Sequence, residues 1–276
     1  MFKHKARFLI LISALATLAP LIARAQGFVP ELQDGINIVG LAVGAGPDYS
    51  GSDDYEAAVA PYGRYLFSGQ RYIKLLGPEL SINLLDDKHW LIGPLIRYRF
   101  KRDDDVEDTV VRQMRTIDDT TEAGIFVSYR MHLGSQPLHQ LVFSADIAGD
   151  TGDVYDGAHG SIRANYFHPF CCIRLVGNIG LSIDYGGSGF NETYYGVTGR
   201  DVALYPSLHG QPYEPSAGIT GVRIPFGLTA PIGRQWLLSA GGRYERLQGD
   251  AEDSPVVNER GDSDQWLYGV AATYLF

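Results

Sequence analysis

The chain has 276 residues, with 23 Lys and Arg against 32 Asp and Glu, and a formal net charge of −9. An acidic chain has no long-range attraction for nucleic acid, and no apolar run beyond the N-terminus reaches the roughly 20 residues of a membrane helix. The 33 glycines and 17 tyrosines suit a protein of strands, turns and aromatic girdles, and the length allows a barrel of ten or more strands.

Residues 1–25 read as a secretory signal peptide of the Sec type. Lys3, Lys5 and Arg7 form a positive start, residues 8–22 are apolar, and Ala23-Arg24-Ala25 is a small-x-small site before Gln26. Its removal takes away four basic residues and no acidic ones, leaving 19 basic against 32 acidic in residues 26–276. Those residues are expected to form one domain.

From residue 35 onward, apolar and polar residues alternate in segments separated by turn-rich breaks, the pattern of strands with two unlike faces. The first three segments, 35–45, 55–67 and 71–85, are the less regular ones. Segment 89–101 sets Trp90, Ile92, Ile96 and Tyr98 against Arg97, Arg99 and Lys101. Segment 121–133 sets Ile125, Val127 and Tyr129 against Glu122, Ser128, Arg130 and His132, and 138–150 sets Phe143 and Ile147 against Ser144 and Asp146.

Segment 160–170 follows, carrying Arg163. In 173–185, Ile179, Leu181, Ile183 and Tyr185 oppose Arg174, Asn178, Ser182 and Asp184. Segments 222–229 and 236–245 place Arg223, Arg243 and Glu245 opposite aromatic and aliphatic residues. The last segment, 265–276, has Trp266, Tyr268, Val270, Ala272, Tyr274 and Phe276 on one face and small residues on the other. Its length is close to the 9–11 residues, roughly, of a tilted membrane strand.

Long breaks at 102–120, 151–159, 188–215 and 248–264 alternate with short turns, the hairpin pattern of a transmembrane barrel. Eleven strands are countable, and single-chain bacterial barrels have an even number. Twelve is the expectation, with ten the alternative. The missing strand lies around 193–197, or Gly77-Pro78 divides 71–85 in two; otherwise one N-terminal strand drops out. A soluble sandwich would also alternate, but it would enclose many arginines at a high desolvation cost. The fold expected is therefore all-β, a transmembrane antiparallel up-and-down β-barrel.

Parity then sends Arg97, Arg99, Arg130, Arg163, Arg174, Arg223 and Arg243 into the lumen with Glu122, Asp146, Asp184 and Glu245. Seven cations against four carboxylates can form a salt-bridge ladder that fills the barrel and fixes register. They can also line a narrow pore for small solutes or anions.

Enzymatic chemistry finds little support. Ser128 and His132 share a face but stand about 13 Å apart by strand rise, no G-x-S-x-G elbow occurs, and His139, His159, His168 and His209 fall at strand ends or in loops. Adjacent Cys171 and Cys172 point to opposite faces, which disfavours a disulfide between them, and no Cys/His spacing suits a metal. Asp103-Asp104-Asp105 lacks the spacing of an EF-hand and reads as a solvated loop. No metal and no cofactor are expected.

Residues 44–55, Gly-Ala-Gly-Pro-Asp-Tyr-Ser-Gly-Ser-Asp-Asp-Tyr, resemble the early G-x-G-x-x-Y-x-G-S-x-x-Y signature of the MltA-interacting protein (MipA/OmpV) family. Ile117-Asp118-Asp119 with Glu122-Ala123-Gly124, Tyr194-Tyr195-Gly196-Val197, and Ser254-Pro255-Val256-Val257 before the closing strand are similar to its later blocks. The resemblance implies an outer-membrane barrel of a Gram-negative bacterium with no known catalytic residues, surrounded by lipid and lipopolysaccharide. It also implies a scaffold joining a lytic transglycosylase to a bifunctional murein synthase, with porin-like and adhesive members in the same family.

Overall fold

The computed structural model describes residues 35–170 and 173–276, so the expected signal peptide and Cys171-Cys172 lie outside the described residues. Twelve strands form one closed, wholly antiparallel barrel in which each strand pairs with its neighbours in sequence and the last pairs with the first. They are β1 Ile38–Pro47, β2 Tyr55–Ser68, β3 Arg71–Leu76, β4 Glu79–Asn83, β5 Trp90–Arg99, β6 Thr120–His132, β7 Gln140–Asp150, β8 Ala158–Phe170, β9 Leu175–Gly186, β10 Gly218–Ile232, β11 Trp236–Leu247 and β12 Asp264–Leu275.

Alternation builds the wall inside out relative to a soluble protein. Ile162 on β8 is 70 % exposed, whereas Glu122 on β6 is fully buried. On β5, Trp90, Ile92, Pro94, Ile96 and Tyr98 face outward and Leu91, Gly93, Leu95 and Arg97 inward. The outward belt is a continuous apolar surface that only lipid covers favourably. Aromatic pairs mark its borders. Trp90–Tyr129 and Trp236–Tyr274, with ring centroids 4.8 and 5.1 Å apart, lie toward the short turns, and Tyr244–Trp266, at 4.9 Å, toward the long loops. Among the described residues no helix is long and apolar enough to cross a membrane.

The twelfth strand comes from Gly77-Pro78. Gly77 adopts φ +55, a conformation glycine tolerates, and Pro78 has no N–H to give to a ladder. The chain therefore reverses in two residues, and 71–85 becomes the β3–β4 hairpin. Its tip is held by Gly77 N donating to Pro61 O at 2.9 Å and Tyr98 N donating to Pro78 O at 3.0 Å. β2 pairs with β1 up to Tyr55 but with β3 only from Tyr62 downward, so the wall is lower over this hairpin. No strand forms around 193–197: Ser188–Tyr194 is helix α1, and Val197 makes an isolated bridge to Tyr213.

The connections after β5, β9 and β11, joined by Tyr49 from the connection after β1 and Tyr155 from the connection after β7, fold into a cap over one end. Tyr49, Val111, Met114, Val197, Tyr205 and Val256 form one small core, and Tyr155, Phe190, Tyr195, Leu247 and Val257 form another. Helix α2 (Pro255–Asn258) starts at Ser254, whose Oγ accepts from Val256 N at 3.2 Å and donates to Tyr195 O at 2.5 Å. One hydroxyl thus caps the helix and ties two loops together.

Asp108 and Arg260 clamp the first and last of these loops at 2.5 Å. Burial works against the Asp108 charge. The Arg260 guanidinium and the N–H groups of Val111 and Val110 outweigh it and hold the carboxyl below its ordinary range. A lowered folded pKa gives stability that is present above the unfolded value of about 3.9 and is lost as pH falls through the folded value. Limited proteolysis of loop 100–119 should accelerate below about pH 4 in the wild type. Asp108→Asn should be cut quickly at neutral pH already and show no such acid step. A wild type whose cleavage rate is flat through that range would contradict the clamp.

The closing strand gives a second test. Val270 is 47 % exposed on the lipid face, and Ala271 is 2 % exposed on the inner face, opposite Ser239. Val270→Lys should block assembly, since a lysine at mid-depth on the lipid face costs about 2–4 kcal/mol, while Ala271→Ser should insert normally. Membrane fractionation with heat-dependent gel mobility distinguishes these outcomes, and equal tolerance at both positions would overturn the facing.

Candidate functional site

The lumen is the candidate site, and its chemistry follows from register. Glu79, Arg97 and Glu122 lie in one cross-strand row over β4, β5 and β6. Asp146, Ser161 and Asp184 form another over β7, β8 and β9. A strand pleat aims all of these inward together, so pairing partners are delivered by the ladder itself.

Arg97 occupies the centre. Its guanidinium reaches Glu79 at 2.8 Å, Asp146 at 3.4 Å and Glu122 at 3.5 Å. Arg99, two residues on, donates from Nε to Glu122 Oε1 at 2.6 Å. It also lies 4.9 Å from the ring centres of Phe190 and Tyr194 on α1, a cation–π seat that couples the barrel to the cap. Glu122 further accepts from the Tyr155 hydroxyl at 3.0 Å, and His159 Nε2 lies 2.9 Å from its other oxygen.

The remaining charges extend the network around the wall. Arg163 meets Asp146 at 2.7 Å, and Ser161 Oγ donates to the same carboxyl at 2.8 Å. Arg223 on β10 pairs with Asp184 on β9. Arg243 and Glu245 share the inner face of β11 and pair at 3.1 Å. Arg130 is buried near the short turns, where its backbone N–H donates to His89 O at 2.7 Å.

Ten of the eleven charges placed in the lumen by parity are found there; Arg174 is not. It sits exposed in the turn before β9 with φ +51. Residues 173–174 belong to the turn that precedes β9, so strand parity does not reach Arg174. Sequence reasoning also missed Glu79, whose strand was obscured by the Gly77-Pro78 turn, and Lys74 and Arg64, which face inward on β3 and β2. His159 is not a solvated loop residue. It shares parity with Ser161 and Arg163 on β8, and its ring stacks on Phe190 at 4.6 Å. Ser128 Oγ donates to Ser144 Oγ at 2.9 Å, a partnership with a neighbouring strand's hydroxyl.

Chambers remain between these side chains. One of about 110 Å³ lies under the cap, bordered by Arg97, Arg99, Asp146, Asp184, Phe190 and Glu245. One of about 150 Å³ lies nearer the short turns, bordered by Lys74, Leu91, Phe126, Val142, Asn178 and others. Arg163, Arg223 and Arg243 line both and stand where the two adjoin.

Removing one partner of a buried ion pair costs about 3–5 kcal/mol, because the other charge is stranded. An exposed pair is worth less than about 1 kcal/mol. Glu122→Gln should therefore lower the denaturant midpoint of the micelle-bound barrel by an amount equivalent to about 3 kcal/mol or more. Glu252→Gln, which removes a partner of half-exposed Arg246, should scarcely move it. Equal effects from the two variants would show that the network is not holding the wall.

The chain is 28 % identical over 114 residues to outer membrane protein Omp26La of Vibrio anguillarum, a match spanning 41 % of this chain and 40 % of that protein. Among solved structures it is similar to the NanC porin (10 % identity, TM-score 0.43, covering 87 % of this chain and 99 % of that one). It is also similar to the COG4313 outer membrane channel from Pseudomonas putida F1 (10 % identity, TM-score 0.44, 91 % and 98 %). The profile of the family described as MltA-interacting protein MipA matches residues 39–276, which span all but the first residue of the barrel. The chain is an outer-membrane β-barrel and belongs to the MltA-interacting protein MipA family.

Proposed function

We propose that the protein is a non-enzymatic scaffold of the outer membrane that docks an MltA-type lytic transglycosylase, and with it a bifunctional murein synthase. The observation that carries this reading is a lumen filled by mutually paired charges and covered by a folded cap. Such a barrel offers rigid end surfaces and no wide conduit. The family's description, MltA-interacting protein, supports the partner class.

Long loops of such barrels face outward and short turns face the periplasm, where murein lies. The docking surface is then the short-turn end, which presents exposed Lys88, Arg174 and Arg234 with Asp86 and Asp87. A narrow anion pore is the second reading, favoured by the three arginines common to both chambers and opposed by their pairing with Asp146, Asp184 and Glu245.

Immobilised barrel in detergent should retain a purified MltA-type lytic transglycosylase. The triple variant Lys88→Glu, Arg174→Glu, Arg234→Glu should weaken retention by about tenfold, the loss of roughly 1.4 kcal/mol. A wild-type barrel that retains none of the enzyme would overturn the scaffold reading. Undiminished retention by the triple variant would move the docking surface elsewhere.

A further inference from the structure

Strand pairing brings three ligating side chains together at the short-turn rim. β7 and β8 pair as far as Gln140 and Phe167, both buried on the inner face. One step further toward the short turns, His139 and His168 therefore oppose each other on the outer face. Tyr166, two residues before His168, shares that face, and all three side chains are half-buried. Spacing along the chain does not show this cluster, because only the β7–β8 ladder joins its two imidazoles.

The Tyr166 hydroxyl is where they converge. His139 Nε2 and His168 Nδ1 each lie 3.0 Å from it. The two imidazoles stand edge to face with centroids 5.2 Å apart, and Phe170 packs edge-on against His168 at 4.9 Å. Aromatic contacts thus set the ring orientations. The single hydroxyl hydrogen serves one ring, and the other ring donates its own N–H to the hydroxyl oxygen. Among the described residues no hydrogen bond engages His139 Nδ1 or His168 Nε2. Each ring can therefore carry its proton on that far nitrogen and turn a lone pair toward the shared point.

We infer that His139 and His168, with Tyr166, form a binding site for a transition-metal dication that favours imidazole, zinc(II) or copper(II). The ion lies between His139 Nε2 and His168 Nδ1, the Tyr166 oxygen is the third donor, and water completes the shell. Metal–nitrogen bonds of about 2.0–2.1 Å in a tetrahedral shell put neighbouring donors about 3.3 Å apart. The 3.0 Å spacings need only a small adjustment to reach this. Magnesium and calcium, which take oxygen ligands, do not suit a set with two nitrogens. The nearby His89–His132 pair, with ring centroids 5.8 Å apart, differs because His89 Nδ1 lies 3.0 Å from the Arg130 carbonyl oxygen. His89 therefore serves as a control. The site lies on the outer wall of the barrel and does not rest on the scaffold reading.

Isothermal titration of the untagged, folded barrel in non-ionic detergent tests it, with zinc chloride and magnesium chloride as probes. Zinc should bind saturably at one ion per barrel in the micromolar range or tighter, and magnesium should give no saturable heat. His139→Gln and His168→Gln should each weaken zinc at least about tenfold. His89→Gln should leave the affinity unchanged.

Absence of stoichiometric zinc binding to the folded wild type would overturn the site. So would undiminished zinc affinity in either His139→Gln or His168→Gln, or an equal loss in His89→Gln. If the histidine variants do not fold, electron paramagnetic resonance of copper(II) bound to the wild type decides the matter. Nitrogen splitting from two imidazoles is expected, and a spectrum from one imidazole or none would overturn the assignment.

Discussion

Strand register and cap are joined at a carboxylate that water does not reach. Glu122 is fully buried and is approached by Arg97, Arg99, His159 and the Tyr155 hydroxyl. A lone carboxylate in that position would be too costly to keep ionised. With two guanidiniums at hand, attraction at an effective dielectric near 20 is about 4 kcal/mol per close pair, enough to offset much of the desolvation. Through Arg97 the same centre reaches β4 and β7, and through Arg99 it reaches α1 in the cap. Register and cap are thus fixed by one electrostatic knot. Sliding a strand by one residue would turn its charges into lipid, and sliding it by two would separate every cross-strand pair.

Wall and lumen stabilise each other because a membrane inverts the usual division of labour. Outward residues need no specific partners, only a low-dielectric surrounding, so Ile, Leu and Trp suffice there. Inward residues must be satisfied by one another, and this makes the inner face the informative one. The cap follows the ordinary rule, with small apolar cores of Tyr, Val and Met pinned by clamps such as Asp108–Arg260. The protein therefore combines a lipid-solvated barrel with a water-solvated lid, and they meet at Arg99, Phe190 and Tyr194.

Period-two alternation is a direct imprint of the pleat, which is why β5, β6, β9 and β12 were legible from residues alone. The short hairpin was harder. Six residues of β3 and five of β4 carry too few repeats to stand out, and only Gly77-Pro78 marked the reversal. Arg174 shows the converse: alternation was extended past a turn that parity cannot detect, because φ +51 leaves no trace in an Arg side chain. His159 and Glu79 became visible only with register, since what makes each of them functional is a partner on another strand. The cap was not legible at all, because its contacts join residues more than a hundred positions apart, as in Asp108 with Arg260.

If paired charges and the folded cap close the lumen, the barrel conducts no ions. Single-channel recording of the purified, folded barrel in planar bilayers tests it most directly. The expected result is a quiet membrane, without sustained conductance steps in concentrated potassium chloride. Regular, long-lived ohmic steps from the wild-type protein would contradict it.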